Sequence, residues 1–425
     1  MSSSHQSSKS MKIKTKRFKP KHQKTKLFRS EEPLLSVFMW GINYTINELT
    51  YVNTPVMLMP DDFKAFTKVR VDNHLFNKDN MPSHFKFKEY CPLVFQNLRE
   101  RFHIDEMDYM NSLTKYQPHE HTSLGRSGCK FYESYDQLFL LKILTSDEVE
   151  TMHCLLKEYH PYIVERHGKT LLPQYLGMYR LTVDGAENYI CVMRNICSSS
   201  LDIHCKYDLK GSTVDREASE KEKGLDIPVY KDNDFTRDGV RIYADEDWRK
   251  RFLEMLNADT TFLAHKNIMD YSLCVAIHDC EKAEQERENR LMTQVSAEDE
   301  EDDSGDGNGN EIPNSTSSPP DSPERRQKYS ESENNSSSNG IDPNRDIYAV
   351  VSTKESPRRE IYFIGIVDIL TQFGIRKRTA LAAKTVKHGP TAEISTVHPE
   401  QYAKRFVEFI TKAFQSLNIN TNSNS

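Results

Sequence analysis

Three residues have the types and settings from which phosphate chemistry could be built. Lys142 stands inside the apolar run LFLLKIL, where an unpaired ammonium costs several kcal/mol, so it must reach the surface or meet an anion. Asp270 lies in NIMDYSLCVAIHD, ahead of Tyr271, Leu273, Val275 and Ile277 in two-residue alternation with Ser272, Cys274, Ala276 and His278, the period of a strand with two unlike faces. Asp368 closes the apolar run IYFIGIVD. One acid opens a strand and the other ends one, so antiparallel pairing would bring both carboxylates to the same end of a sheet. Adjacent acids repel unless a cation lies between them. In phosphoryl transfer that cation is Mg²⁺ bridging nucleotide phosphates, and a second acid orients or deprotonates the attacking hydroxyl. Taken singly, a turn aspartate and a snorkelling lysine are the plainer roles; the combination points to phosphoryl transfer.

The surrounding elements must place these residues. Upstream of Lys142, LGRSGCK offers Gly125, Ser127 and Gly128, where a hairpin would let backbone N–H groups approach phosphate oxygens. The spacing is neither G-x-G-x-x-G nor a Walker loop. After Lys142, TSDEVETMHCLLKEY predicts a helix opened by a capping box of Thr145 and Glu148, with Val149, Met152, Leu156 and Tyr159 inward. YLGMYRLTVDGAENYICVMRNI predicts a hairpin turning at Asp184 and Gly185. Turn, strand, helix and hairpin in that order match a kinase small lobe, a layout many α+β domains share.

Nearer the N-terminus, SEEPLLSVFMWGINYTINEL predicts an amphipathic helix capped by Ser30, with Pro33 in its first turn and Leu34, Leu35, Phe38, Ile42 and Ile46 on one stripe. That face either closes the core or pairs with a second copy of the chain. DIYAVVSTKESPRREIYFIGIVDIL predicts two further strands, and HPEQYAKRFVEFITKAF a closing helix with Pro399 in its first turn and Tyr402, Phe406, Phe409, Ile410 and Phe414 on one side.

The 425 residues, 37% of them hydrophobic, can support a sizeable core. No apolar run approaches the roughly 18 residues a membrane-spanning helix needs, and no apolar signal core opens the chain, so a cytoplasmic or nuclear protein is expected. Eight cysteines without CxxC or metal-ligand spacing predict free thiols. The net charge of −6 is unevenly spread. Lys9 to Arg29 contains no acid, which suits an anionic membrane surface at about 1 kcal/mol per basic residue. The acidic, then Ser-, Asn- and Pro-rich segment 297–340 cannot bury enough apolar surface to fold, and is read as a disordered insertion with Ser322 among its phosphorylation candidates. Nucleic-acid binding would rest on the basic tail alone, without interleaved aromatics, and is not expected.

Longer motifs then converge on one family. DLKGSTVDREAS at 208–219, IMDYSL at 268–273 and IVDILTQFGIRKRTALAAKTVKHGPTAEISTVHPEQYAKRF at 366–406 resemble the phosphatidylinositol phosphate kinases, and within them the type II branch, the phosphatidylinositol 5-phosphate 4-kinases. MPDDFKAF, VDNHLFN and MPSHFKFKEYCP extend the resemblance, which runs from about residue 26 to 414 apart from the acidic insertion.

The resemblance implies an α+β, two-lobed, protein-kinase-like fold of mainly antiparallel sheets with flanking helices. It divides the chain into a basic tail (1–29), an N-terminal lobe (30–195) with the dimerisation helix and the ATP lysine, and a C-terminal catalytic lobe (196–425). That lobe would hold the insertion, bounded at 285–344, and an activation loop at 369–394. ATP and Mg²⁺ are the implied cofactors. Lys142 is then the ATP-phosphate lysine, with an ion-pair partner among the acids of the following helix, Asp270 the catalytic aspartate and Asp368 the metal-binding aspartate, with Asp270 also near the metal. Asn195 falls where the family contacts the purine, Val367 packs on the base, and Gly125, Ser127 and Gly128 face the phosphates. Met193 and Cys197 replace the threonine and phenylalanine of the branch members noted for using GTP, which implies a preference for ATP.

On the lipid side, Lys210 and Arg216 match positions near the phosphate that is not transferred. Ala380 stands where the type I branch carries glutamate, implying the type II substrate, and Lys384 and Lys387, with Arg376, Lys377 and Arg378, suit an anionic headgroup. The implied partners are phosphatidylinositol 5-phosphate in anionic membranes, a second copy of the chain through the N-terminal lobe, and related lipid kinases. A different class of function, a weakly active phosphoinositide-binding scaffold that regulates related kinases by dimerising with them, stays open at this point, although the presence of all three polar residues argues against complete loss of catalysis.

Overall fold

The computed structural model describes residues 32–52, 54–72, 81–121, 129–301, 340–374 and 397–414, and for 294–301 the backbone alone. Its strands, among the described residues, form a seven-stranded and a five-stranded sheet, giving the α+β, two-lobed architecture expected. The basic tail, Ser30, the glycines at 125 and 128, residues 302–339 and the segment 375–396 lie outside the described residues.

The first sheet is antiparallel throughout. Its strands are β1 (Phe66–Val71), β2 (Phe85–Tyr90), β3 (His119–His121), β4 (Phe131–Glu133), β5 (Phe139–Leu144), β6 (Tyr175–Val183) and β7 (Ala186–Arg194), in the spatial order β1-β2-β6-β7-β5-β4-β3. Lys142 is therefore on an inner strand, opposite Cys191 of β7 and Phe131 of β4. The β6–β7 hairpin turns at Asp184 (φ +50°) and Gly185 (φ +80°), two left-handed residues whose twist matches the flanking strands.

Helix α1 (Pro33–Leu49) buries Leu35, Phe38, Ile42 and Ile46, so its apolar stripe closes the core of its own sheet. Gly41 permits the approach, because a Cβ there would come within 2.0 Å of the Phe87 ring. Glu32 occupies the N-cap position and Pro33 the first turn; proline suits a position whose N–H has no helical partner, which moves the boundary to the residue before it. Two short helices follow β2, α2 (Pro92–Arg101) and α3 (Glu106–Thr114). Helix α4 (Ser146–Glu165) opens on the predicted capping box and buries Met152, Leu156 and Tyr159.

The second sheet contains β8 (Cys205–Leu209), β9 (Val229–Lys231), β10 (Ser272–Asp279), β11 (Ala349–Val351) and β12 (Glu360–Val367), ordered β11-β12-β10-β8-β9. Between β8 and β10 run α5 (Glu220–Lys223), α6 (Asp232–Arg237) and α7 (Glu246–His265). Where the alternation of β10 predicts two unlike faces, Ser272, Ala276 and His278 are buried as well as Leu273, Val275 and Ile277. The reason is tertiary: Ile196, Cys197, Leu201 and Ile203 pack over Ala276, Ile361 and Phe363 on the second face.

Residues 285–301, expected to fall within the insertion or its approach, are helical instead: α8 (Cys280–Glu301) carries the chain on from β10. Its Glu284 meets Arg359 at 2.7 Å and its Arg290 meets Asp202 at 3.3 Å, contacts with distant segments that composition does not reveal. The closing helix α9 (Pro399–Ala413) buries Tyr402, Phe406 and Ile410, stacking the first two rings edge-on against Tyr271 at 4.9 and 5.1 Å. Tyr402 also donates its hydroxyl to the Tyr271 carbonyl. The residue after Asp270 is thus locked from below.

Candidate active site

Asp270 and Asp368 owe their placement to a break in the β10–β12 ladder. The ladder is antiparallel and ends with Ser272 opposite Val367. Beyond that pair the two chains separate, and they rejoin where Met269 N–H donates to Thr371 O at 3.0 Å and Ile268 bridges Gln372. In the gap stand Asp270 at φ +67° and Asp368 at φ +61°. Aspartate enters this left-handed region more readily than most residues with a Cβ, and the kink turns each carboxylate out of the ladder at the same end of the sheet.

Lys142 reaches across from the other sheet. Its Nζ lies 3.1 Å from Asp368 Oδ1 and 2.9 Å from Glu148 Oε1. Burial would depress the ammonium, but Asp368 and Glu148 outweigh it and hold the Lys142 pKa above the ordinary lysine range. The lysine is nearly covered, whereas the Asp368 side chain is 57% exposed, so its carboxylate is accessible in the cleft. Glu148 serves two structures at once. Its Oε2 accepts the Thr145 N–H at 2.9 Å, closing the capping box of α4, while Oε1 holds Lys142. The sequence narrowed the partner only to the acids of that helix; the fold selects the third residue of the first turn.

On the opposite side of the aspartates, Lys210 Nζ lies 3.0 Å from Asp270 Oδ1 and 2.5 Å from its carbonyl oxygen. Arg216 is mostly buried. Its Nε donates to Asp232 Oδ2 at 2.6 Å, and its Nη2 donates to Asp208 Oδ2 at 3.0 Å and to the Asp208 carbonyl. Burial pushes the Asp208 carboxyl up, yet Arg216 and Lys210 hold it below the usual range. The two cations matched to the lipid side therefore differ in setting: Lys210 faces the Asp270 carboxylate, and Arg216 is bound into the loop that carries Lys210.

Asn195 follows β7 and ties that segment to the β4–β5 hairpin, its Nδ2 donating to Glu133 Oε1 at 2.8 Å and Gln137 O at 3.0 Å while its Oδ1 accepts the Cys197 N–H at 3.1 Å. Val367 stands half-buried beside Asp368, opposite Ser272. The fold thus brings Lys142, Asp270, Asp368, Lys210 and Val367 to one end of the five-stranded sheet. Gly125, Ser127, Gly128, Ala380, Lys384 and Lys387 lie outside the described residues. Asp232 carried no mark in the sequence and Asp208 only its place at the head of DLKGSTVDREAS, since what distinguishes them is the set of donors the fold turns toward them.

Chemically, this is a site that can bind phosphate through Lys142, present one accessible carboxylate for a cation, and offer a second carboxylate to a hydroxyl proton. A lysine from one sheet meeting the end of another that carries two aspartates, with that equipment, defines a phosphotransferase of kinase type. The phosphatidylinositol-4-phosphate 5-kinase family model matches residues 112–413, and the chain belongs to this family of phosphoinositide kinases. It is similar to phosphatidylinositol 5-phosphate 4-kinase type-2 alpha of Mus musculus, 55% identical over 399 residues that cover 94% of this chain and 96% of the relative. The type-2 alpha protein of Homo sapiens is likewise 55% identical, covering 94% and 95%, and the human type-2 beta protein is 55% identical over 389 residues, 92% of each chain. The similarity to type II relatives spans nearly the whole chain.

Proposed function

We propose that this chain transfers the γ-phosphoryl group of ATP to the 4-hydroxyl of phosphatidylinositol 5-phosphate, giving phosphatidylinositol 4,5-bisphosphate. The observation that carries the reading is the convergence of Lys142 with Asp368 at 3.1 Å and of Lys210 with Asp270 at 3.0 Å on one sheet end; the type-2 relatives supply the regiochemistry. The family model is named for the 5-kinase reaction, and Ala380 in place of the type I glutamate supports the type II choice.

In this reading Lys142 binds the nucleotide phosphates and Glu148 keeps its ammonium in place. Asp270 accepts the proton of the attacking hydroxyl, and Lys210 neutralises the phosphate that is not transferred, with Arg216 supporting it. Asn195 and Val367 border the purine. No cluster of three ligating side chains occurs among the described residues, which fits a Mg²⁺ held by one or two carboxylates together with phosphate oxygens, as is usual for that ion. Asp368, with Asp270 nearby, would hold it, and when bound it would neutralise charge on the phosphates. No helix among the described residues is long and apolar enough to cross a membrane, so access to a lipid substrate is proposed to come from peripheral attachment of the basic tail and of Lys384 and Lys387 to anionic membranes, by a dimer joined through the N-terminal lobe.

The test is label transfer from γ-labelled ATP to vesicles containing one monophosphorylated phosphatidylinositol isomer at a time, followed by assignment of the labelled ring position. Label at position 4 of the 5-phosphate isomer is expected. Preferential label at position 5 of the 4-phosphate isomer overturns the reading. The membrane component should weaken with salt, since surface charge is screened over about 8 Å at physiological ionic strength.

A further inference from the structure

Asp232, the first residue of α6, is 1% exposed, yet its carboxylate is saturated with donors. Oδ1 accepts the backbone N–H groups of Gly211 at 2.7 Å, Lys210 at 2.9 Å and Ser212 at 3.4 Å, and Oδ2 accepts Arg216 Nε at 2.6 Å. Successive N–H groups curled by a left-handed residue make a concavity suited to an anion. Here a side chain of the same chain fills it. Gly211 is what allows the curl, with φ at +65° and a would-be Cβ only 3.1 Å from Arg405 O. Asp234 repeats the device at the far end of the loop, Oδ2 accepting Ala218 N–H at 2.7 Å and Lys231 N–H at 3.1 Å. One turn of helix therefore clamps both ends of the segment 210–218.

What the clamp holds is Lys210, whose ammonium lies against Asp270. A lysine has considerable rotamer entropy to lose, and a fixed backbone at its root lessens the further freedom that must be surrendered to aim it. The adjoining Arg216 is bound to the other oxygen of the same carboxylate, so the two cations matched to the lipid phosphate share one anchor.

We infer that Asp232 is a positioning residue for lipid phosphorylation: its carboxylate fixes the 210–212 backbone together with Arg216, and so holds Lys210 against Asp270 and the phosphorylated headgroup. The inference rests on the proposed reaction and goes beyond it in assigning a buried acid that touches neither substrate. Asp232→Ala removes every acceptor. Asp232→Asn keeps the shape and Oδ1 but loses the charge facing Arg216.

The experiment compares both variants with wild type in steady-state kinetics on phosphatidylcholine vesicles carrying phosphatidylinositol 5-phosphate, alongside backbone hydrogen exchange. Displacing a positioning contact by an ångström costs about a hundredfold, so kcat for the lipid should fall about that much in Asp232→Ala and less in Asp232→Asn. KM for ATP should stay within about twofold of wild type, because the Lys142 side of the cleft is untouched. In Asp232→Ala, faster exchange should be confined to residues 208–218. A kcat near wild type in both variants, or a rise in KM for ATP together with faster exchange throughout the seven-stranded sheet, overturns the inference. If the wild type itself labels no phosphatidylinositol 5-phosphate, the proposed reaction has failed, and exchange alone decides the clamp: unchanged exchange at 210–212 in Asp232→Ala overturns it.

Discussion

Lys142 and Asp368, 226 residues apart in the chain and on different sheets, meet at 3.1 Å. The lysine side chain is 7% exposed and would be costly to bury alone. Its position therefore depends on both carboxylates that neutralise it, Glu148 from the first turn of α4 and Asp368 from just past the end of β12. Bringing the two sheets together assembles half of the proposed phosphate site, and the Lys210–Asp270 pair supplies the rest.

Glu148→Gln separates the two duties of that residue. Glutamine at the same position still completes a capping box, so α4 should persist and thermal stability should change by no more than about 1 kcal/mol. The charge on Lys142 loses one partner. A charge-assisted hydrogen bond contributes about 1.5–3 kcal/mol, so kcat/KM for ATP should fall about ten- to a hundredfold. Steady-state kinetics with a parallel melt distinguish this from an unfolded helix, which would lower the melting temperature by several degrees.

Asp270→Asn should lower lipid turnover by about 10²–10⁴, the usual contribution of a positioned acid or base, with little change in melting temperature. Asparagine tolerates the left-handed backbone at φ +67°, so the substitution removes the charge without straining the chain. Asp270→Ala adds backbone strain and should melt earlier than Asp270→Asn. Equal turnover of Asp270→Asn and wild type in a vesicle assay would remove this residue from its role.

Glu89 provides a pH signature independent of catalysis. It lies wholly buried on β2, and burial pushes its carboxyl up to about 7, against the opposing charge of Arg99. A raised pKa in the folded state means the native chain holds this proton more tightly than the unfolded chain. The associated stability is full below about 4.5 and is lost as pH rises through about 7, a difference on the order of 3 kcal/mol. Glu89→Gln cannot titrate, so its stability relative to wild type should climb across that window and level off above it. Denaturant midpoints for both proteins at several pH values check this; a constant difference would contradict it.

Much of the site was legible because its residues break local patterns. Lys142 interrupts an apolar strand, Asp270 and Asp368 bound two others, and the Thr145–Glu148 spacing announces a capped helix, each readable within a few neighbours. What the sequence could not carry was long-range. The positive φ of Asp270 and Asp368 belongs to a gap in a ladder between segments nearly a hundred residues apart. The burial of both faces of β10 depends on the segment near Cys197 folding over it. Asp232 resembles an ordinary helix-start acid until the N–H groups of Lys210 and Gly211 are turned toward it, and main-chain donors leave no trace in side-chain identity.

The most direct test of the central claim, that Lys142, Asp368 and Asp270 serve one nucleotide-phosphate site, is the rate of label transfer from γ-labelled ATP to phosphatidylinositol 5-phosphate vesicles by Asp368→Asn, followed across a Mg²⁺ titration. Asparagine again suits the left-handed backbone, at φ +61°, so the fold should survive. The account predicts turnover lower by about a thousandfold or more at every Mg²⁺ concentration, with the melting temperature close to wild type. A folded Asp368→Asn protein that labels the lipid at the wild-type rate, with the wild-type Mg²⁺ dependence, would contradict it.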